Sequence, residues 1–208
     1  MMRKDNPQLP NTELCGKLLS NENLKAAFIK VKKNGGAAGI DGMNVCELDT
    51  YLDSNIKDIK SRILARKYKF KAVKKVEIPK DNGKTRMLGI PTVLDRFVQQ
   101  LVVQVITPLF EPTFSDFSYG YRPNRSAEDA VRQAQTYIAQ GYTYVVDMDL
   151  SKFFDTVNHD KLMGLVDETL EDKDIRRLIF SSLKSGIMDN GFKVETSVGT
   201  PQGEVISP

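Results

Sequence analysis

Two aspartates in the run VVDMD are the residues of this 208-residue sequence whose type and spacing best suit chemistry. Asp147 and Asp149 stand two positions apart in a short β-branched stretch that predicts a β-strand over residues 143–149. Alternate residues of a strand point to one face, so the two carboxylates would lie side by side. A cation relieves their repulsion, and ligands made only of oxygen suit Mg²⁺. The pattern predicts a metal site for phosphoryl transfer or, more simply, a strand that ends in surface aspartates.

Basic residues are concentrated in one part of the chain. Residues 57–86 hold twelve Lys or Arg and three acids, a net charge of +9, whereas the whole chain carries +3. Residues 147–174 hold nine acids and three Lys, a net charge of −6. A dense basic block favours a polyanionic partner, because neutralising phosphates releases counterions. A solvated, charged helix face is the alternative.

Periodicity predicts the helices that would position these residues. In several segments apolar residues recur at helical spacing, which predicts amphipathic helices. The predicted helices cover residues 23–33, 47–66, 95–110, 160–170 and 174–184. A further helix is predicted after Ser126, which has Asp129 three positions on in capping-box spacing, and it should end at Gly141.

Two turn triplets predict β-hairpins. Asp81-Asn82-Gly83 separates VKKVEIPK from KTRMLGIP, and Asp189-Asn190-Gly191 separates two short strand-like runs. The first hairpin has a basic outer face. The order is helices, hairpin, helices, strand, helices, hairpin, which predicts an α+β fold without regular βαβ alternation.

The remaining composition narrows the class of protein. Cys15 and Cys46 have neither CxxC spacing nor a histidine cluster nearby, so a disulfide framework or a zinc site is not expected. The N-terminus lacks the apolar core of a signal peptide, and no stretch approaches the ~20 apolar residues of a membrane span. We therefore expect a cytoplasmic protein that uses no membrane.

Four blocks of sequence carry a resemblance to a known family. In chain order they are VEIPKDNGKTRMLGIPTVLDRFVQQ, FSDFSYGYRPNRSAEDAV, VVDMDLSKFFDTVNHDKL and GTPQGEVISP. They resemble the two fingers blocks, motif A and the start of motif B of reverse transcriptases, and among these the bacterial group II intron-encoded maturases. LKAAFIKVKKNGGAAGIDG resembles the N-terminal extension of that group, so the similarity runs from about residue 20 to residue 208.

The resemblance implies a fold and its division. It implies the fingers and partial palm of a right-hand polymerase, with a ferredoxin-like palm sheet, truncated before motif C. Residues 1–97 would be the N-terminal extension and fingers, 98–163 the first part of the palm with motif A, 164–197 a fingers return segment and 198–208 the start of motif B. The fragment alone would be inactive but would bind RNA.

The resemblance also assigns roles within motif A. Asp149 would be the catalytic metal ligand for the two Mg²⁺ ions of the complete enzyme, with help from the Leu150 carbonyl, and Asp147 would be supporting. Phe154, five positions after Asp149, would pack under the deoxyribose and exclude a 2′-hydroxyl.

Further roles fall on the other blocks. The implied dNTP-binding residues are Lys80, Arg86, Phe154, Gln202 and Gly203. The implied template or RNA contacts are Leu88, Gly89, Ile90, Pro91, Arg122, Arg125, Lys74 and Lys75. Incidental cations at an exposed turn are the alternative for the first hairpin, and pairing with the acidic segment is the alternative for the two arginines.

His159 is expected at the surface or in a cap. Glu204 stands where the family usually has a small residue, and its charge should oppose triphosphate binding unless it points away or pairs with a cation.

The function implied by the resemblance is RNA-directed DNA synthesis by a splicing maturase. Its partners would be group II intron RNA, an RNA template with a DNA primer, and dNTPs, and a homodimer is one further option. A domesticated bacterial reverse transcriptase (retron, diversity-generating or CRISPR-associated) is the nearest alternative. A non-catalytic RNA-binding module is a second, and a nucleotide cyclase, which would not explain YRPNR or PQG, is a third.

Overall fold

A computed structural model describes residues 13–79, 83 and 85–207. Its helices are α1 Glu13–Leu18, α2 Asn21–Asn34, α3 Leu48–Leu64, α4 Val93–Phe110, α5 Ala127–Ala139, α6 Phe153–Thr156, α7 His159–Asp167 and α8 Lys173–Leu183. Its strands are β1 Val73–Pro79, β2 Thr85–Ile90, β3 Ile187–Asp189 and β4 Phe192–Val194. The predicted helices and both hairpins are confirmed, apart from residues 80–82 and 84 of the first hairpin, which lie outside the described residues.

Side-chain caps explain where several helices begin. Thr92 accepts a hydrogen bond from the Asp95 N–H at 3.1 Å at the start of α4. At α5 the Ser126 hydroxyl accepts from the Asp129 N–H while the Asp129 carboxylate accepts from the Ser126 N–H. This is the predicted capping box, and each such cap is worth about 1 kcal/mol.

The four strands form one mixed sheet in the order β2-β1-β3-β4. β1 pairs antiparallel with β2, with Ile78 opposite Arg86 and Val76 opposite Leu88. β3 joins the other side of β1 in parallel and forms the second hairpin with β4. β2 is therefore an edge strand whose outer backbone groups need partners from elsewhere.

Helix α4 forms the centre of the core. Phe97, Val98, Leu101 and Val102 are all at most 1% exposed. α4 packs against α1, α2 and α8. Burial at this density explains why the helix is apolar around much of its circumference.

Contrary to the sequence expectation, one segment has the length and average apolarity of a membrane span. It is Val93–Thr113, which includes α4, and more than half of it is buried inside the protein. A core helix meets the same criteria, and the packing just described accounts for its composition.

The predicted strand over residues 143–149 is wrong. Residues 142–150 form no regular secondary structure, and the hydrophobic side chains among them are largely exposed. A β-strand needs a neighbour for its N–H and C=O groups, and across residues 13–79 and 85–207 no strand pairs with this segment. The predicted division into four segments stays a prediction, and its boundary at 97/98 falls inside α4.

Candidate functional site

The predicted metal ligands lie on this unpaired segment. Asp147 and Asp149 are exposed, and the Leu150 side chain is 72% exposed. Within the described ranges no group of three or more His, Cys, Asp or Glu residues is arranged to hold a metal ion. Two carboxylates leave a Mg²⁺ ion short of protein ligands, so these residues alone do not fit a two-metal centre.

The first hairpin presents a mixture of free and paired cations. Arg86 is exposed on β2 beside Leu88, two positions along the same face. Lys74 is exposed on β1, whereas Lys75 forms ion pairs with Asp189 at 2.8 Å and with Glu77 at 3.4 Å. The hydrogen bond that Lys75 donates to the Asp189 carboxylate, and then the charge of that carboxylate, raise the pKa of Lys75. Lys80 lies outside the described residues.

The PQG turn packs against the edge of β2. The Gly89 N–H donates a hydrogen bond to the Gln202 carbonyl at 2.7 Å, which satisfies an edge group of the sheet. A Cβ on Gly203 would lie 2.7 Å from both the Gly89 carbonyl oxygen and Leu88 Cδ1, and its φ is +109°. Only glycine meets both conditions, so the turn can approach the strand this closely. Two predicted dNTP contacts thus adjoin two predicted template contacts.

The rest of the predicted Leu88–Pro91 contact is largely covered by protein. Gly89 and Pro91 are buried and Ile90 is half-buried. A Cβ on Gly39 would come within 2.7 Å of the Thr92 backbone, so the loop after α2 rests on the end of this segment. Leu88, which is also half-buried, lies against the PQG turn.

Motif A and motif B are joined by backbone hydrogen bonds. The Thr200 N–H donates to the Phe154 carbonyl and the Gly199 N–H donates to the Val157 carbonyl, both at 2.8 Å. These bonds hold the backbone of half-buried Phe154 next to Thr200, the residue before the PQG turn. The backbone of Phe154 thus lies beside the residue that precedes the PQG turn, whereas Asp149 belongs to the exposed segment 142–150.

His159 is buried, contrary to the expectation of a surface or cap position. It is 2% exposed, and its Nε2 lies 2.6 Å from the Gly199 carbonyl oxygen. With Nε2 as the donor, the ring fixes the strand-like segment before the PQG turn to the start of α7. A lone histidine gave no sequence signal of this, because its partner is a backbone atom forty positions away.

The two arginines of YRPNR are held within their own loop. Arg122 donates to Glu111 at 2.8 Å and to the carbonyls of Ser115 and Ser118. Arg125 donates to the Asp116 carbonyl at 2.7 Å. The alternative of pairing with the acidic segment 147–174 is wrong for both, since their carboxylate partners are Glu111 and Asp116. The template role of these arginines stays a prediction, although Arg122 has little guanidinium surface left for a phosphate.

Glu204 points into the protein rather than toward a nucleotide. Its side chain is buried against Gln99 of α4, and burial, followed by the charge of Asp95, raises its pKa to about 8. The carboxyl is thus uncharged at neutral pH. The expected opposition to triphosphate binding is removed by its orientation and its protonation.

Comparisons with known proteins agree with the blocks quoted above. The family model described as reverse transcriptase (RNA-dependent DNA polymerase) matches residues 78–208. Protein YkfC of Escherichia coli is 36% identical over 189 residues, covering 88% of this chain and 50% of that protein. The group II intron-encoded protein LtrA of Lactococcus lactis is 32% identical over 198 residues, covering 95% of this chain and 33% of LtrA. The putative COX1/OXI3 intron 2 protein of Saccharomyces cerevisiae is 31% identical, covering 92% of this chain and 21% of that protein.

A solved structure confirms the fold. The chain matches one component of a partial Cas6-RT-Cas1--Cas2 complex with a TM-score of 0.62 and 24% identity, covering 95% of this chain and 33% of that one. The chain spans half or less of the length of these relatives. The matched family model covers more than half of the chain, and the α+β fold agrees with it. The chain, similar in sequence to group II intron-encoded proteins as its blocks predicted, belongs to the reverse transcriptase family.

Proposed function

We propose that the protein containing this chain is an RNA-directed DNA polymerase encoded by a group II intron, which also binds the intron RNA as a splicing maturase. Two of the relatives described above carry intron-encoded names, and this favours the intron enzyme over the retron, diversity-generating or CRISPR-associated alternatives. The Cas6-RT-Cas1 neighbour supports the shared fold alone.

The observation that carries the proposal is the docking of the PQG turn on β2. The Gly89 to Gln202 hydrogen bond and the Thr200 to Phe154 hydrogen bond bring three separate sequence blocks to one place. A nucleotide beside this turn would meet Phe154 on one side and the β2 strand on the other. Residues at that junction can select the sugar and support the templating base.

The proposed reaction is attack of a primer 3′-hydroxyl on the α-phosphate of a dNTP, with pyrophosphate as the leaving group. Arg86 and, by the resemblance, Lys80 would donate charge-assisted hydrogen bonds to the triphosphate. The amide and backbone of Gln202 and Gly203 would line the nucleotide. Phe154 would occupy the space that a ribose 2′-hydroxyl needs.

The proposed reaction uses Mg²⁺, and the described residues supply only part of its coordination. Reverse transcriptases in general use Mg²⁺, and Asp149, with the Leu150 carbonyl and Asp147 nearby, would supply part of the coordination. The described residues do not complete a metal-binding group. We therefore assign the remaining carboxylates to other parts of the whole protein, and we expect no synthesis from this chain alone.

The proposed partners are group II intron RNA, an RNA template with its DNA primer, and dNTPs. The location proposed is the bacterial cytoplasm. A reducing compartment is compatible with Cys15 and Cys46, which are not joined by a disulfide. A homodimer is the further partner proposed, through apolar surface such as the exposed segment 142–150.

Sugar selection gives the sharpest test. In the whole protein, with an RNA template and a DNA primer, Phe154→Val should lower discrimination against ribonucleotides by about tenfold or more, because the aromatic ring no longer fills the 2′ position. The measurement is single-nucleotide incorporation of dNTP and rNTP, compared as ratios of kcat/KM.

Phe153→Val is the matched control. The Phe153 ring packs edge-to-face on Phe154 with centroids 5.7 Å apart, and it is 51% exposed. It should leave the ratio within about twofold of the unmodified protein. Equal ratios in all three proteins would remove Phe154 from the nucleotide site, and undiminished synthesis by Asp149→Asn would overturn the proposed polymerase site. RNA binding with no synthesis by the unmodified protein would favour the non-catalytic module.

A further inference from the structure

Glu204 occupies a position unusual for its chemistry. It follows Gly203 in the PQG turn, yet its side chain is only 3% exposed. The Gln99 side chain of α4 lies beside its carboxyl, and its Oε2 atom has no hydrogen-bond partner. Glutamates are rarely buried without a cation, so this arrangement calls for a physical role.

Glu204 lies between two attachments of the same turn. On one side the Gln202 carbonyl accepts the edge hydrogen bond from Gly89. On the other side the Val205 N–H donates to Gln99 Oε1 at 3.1 Å, and Gln99 Nε2 donates to Ser182 of α8 at 2.9 Å. The Glu204 carboxyl thus rests on the side chain that ties the turn to two helices.

The surroundings decide which of two neighbouring carboxyls carries a charge. Asp95 of α4, the charged group that acts on Glu204, accepts hydrogen bonds from the Tyr68 hydroxyl, the Lys71 N–H and the Thr92 hydroxyl. Burial raises the pKa of Asp95, but its three donors act in the opposite direction and favour its charged form, whereas Glu204 has only the Gln99 side chain beside it.

The other groups packed near Glu204 do not supply a neutralising charge. Ser182 of α8 is linked to Glu204 only through Gln99, and Gly89 of β2 is linked to it only through the backbone of the turn. Neither group is charged. Lys30, Arg96 and Arg122 line the same cavity of about 1020 Å³. The Arg96 guanidinium donates to the carbonyls of Gly35 and Ala37, Arg122 donates to Glu111, and Lys30 is exposed on α2. An ionised Glu204 would therefore face Asp95 uncompensated.

We propose that Glu204 is a positioning residue that holds the Pro201–Gly203 turn against β2 while its carboxyl is uncharged, and that lets the turn loosen when the carboxyl ionises. A carboxylate with one unpartnered oxygen beside another carboxylate has to reach water, and the adjacent turn moves with it. The effect on nucleotide binding rests on the proposed polymerase function. The attachment of the turn does not.

The direction of the pH effect follows from the two protonation states. Burial, then Asp95, raises the pKa of Glu204 from 4.5 to about 8. Between about pH 4.5 and about pH 8, the Glu204 carboxyl is therefore protonated when the turn is docked and ionised when the turn is loosened. The contribution of Glu204 to docking is complete below about pH 4.5 and is lost as the pH rises through about 8.

Hydrogen exchange of the Gly89 amide in this chain measures the docking directly. Its protection factor, corrected for the intrinsic pH dependence of exchange, should fall by about tenfold between about pH 7 and about pH 9. The Ile179 amide in α8 serves as an internal reference for the core and should keep its protection. Glu204→Gln should keep Gly89 protected across the range, because an amide occupies the site without ionising.

Glu195→Gln is the matched control, since it makes the same change at an exposed position of the same chain segment. It should behave like the unmodified protein. Identical pH dependence in Glu204→Gln and the unmodified protein would overturn the proposal, as would constant Gly89 protection in the unmodified protein. If Glu204→Gln does not fold, the pH dependence of protection at Gly89, compared with that at Ile179 in the unmodified protein, still tests the proposal. None of these readouts depends on DNA synthesis.

Discussion

Gly89 shows how one missing side chain can set the geometry of a site. A Cβ at this position would lie 2.8 Å from Pro201 Cβ and 2.8 Å from Val73 Cγ2. Val73 is fully buried and proline has little freedom, so neither can move aside cheaply. The resemblance implies that Gly89 contacts the template. The structure adds a nearer reason, which is that the PQG turn itself occupies the space.

Gly89→Ala should therefore destabilise the protein. We expect a loss of about 1–3 kcal/mol in the free energy of unfolding, the usual cost of overpacking a tight contact. Chemical denaturation monitored by circular dichroism measures it. Gly120→Ala is the matched control, because nothing lies within 4 Å of the added Cβ, and it should change stability by less than about 0.5 kcal/mol. Equal effects of the two substitutions would contradict the tight docking of the turn.

At the scale of elements, Arg96 joins the loop after α2 to the start of α4. Its Nη1 donates to the Gly35 carbonyl at 2.8 Å and its Nη2 donates to the Ala37 carbonyl at 2.6 Å. A Cβ on Gly36 would lie 2.6 Å from Nη1, so the loop needs glycine to wrap around the guanidinium. The planar fork of arginine makes both bonds at once, which a single ammonium group does not reproduce.

Arg96→Lys should release this loop without unfolding the core. Losing one charge-assisted hydrogen bond costs about 1.5 kcal/mol or more, so the open form should be populated roughly tenfold more. Limited proteolysis by subtilisin, with cleavage mapped within residues 35–42, measures that population. Arg132→Lys on α5, where the arginine makes an exposed ion pair with Asp129, is the control and should not change cleavage. Unchanged cleavage in Arg96→Lys would mean that the glycines alone hold the loop.

The elements also mark what sequence reasoning can and cannot reach. Local signals placed α2, α3, α4 and α5 and both hairpins, because caps, turns and apolar periodicity act within a few residues. The 143–149 segment failed because strand formation depends on a partner that no local pattern specifies. The burial of His159 and Glu204 was missed for a related reason. The groups that they contact are a backbone carbonyl and a side-chain amide far along the chain, and no local sequence pattern predicts such a contact.

At the scale of the whole molecule, the structure divides the basic block into paired and unpaired cations. Arg66, Lys71 and Lys75 each pair with an acid, namely Asp174, Asp41 and Asp189. Among the residues described, Lys67, Lys69 and Lys74 are exposed and take part in no ion pair. These three lysines, of which Lys67 and Lys69 lie between α3 and β1 and Lys74 lies at the start of β1, keep their full charge available for a polyanion. The net charge of +9 over residues 57–86 thus overstates what a phosphate backbone would meet.

Replacing these three lysines by glutamine should weaken RNA binding in a salt-dependent way. For contacts to single-stranded phosphates, the slope of log K against log salt should become shallower by roughly 2 units for three lost contacts. Fluorescence anisotropy with a labelled RNA, measured over a range of salt concentrations, gives both affinity and slope. A triple variant of Lys161, Lys173 and Lys193, also to glutamine, removes the same charge from exposed positions on other elements. If both triple variants lower the slope equally, RNA senses only the net charge, and the stretch from Lys67 to Lys74 is not an RNA contact. A shallower slope in the first variant alone would assign that contact, whether or not the whole protein synthesises DNA.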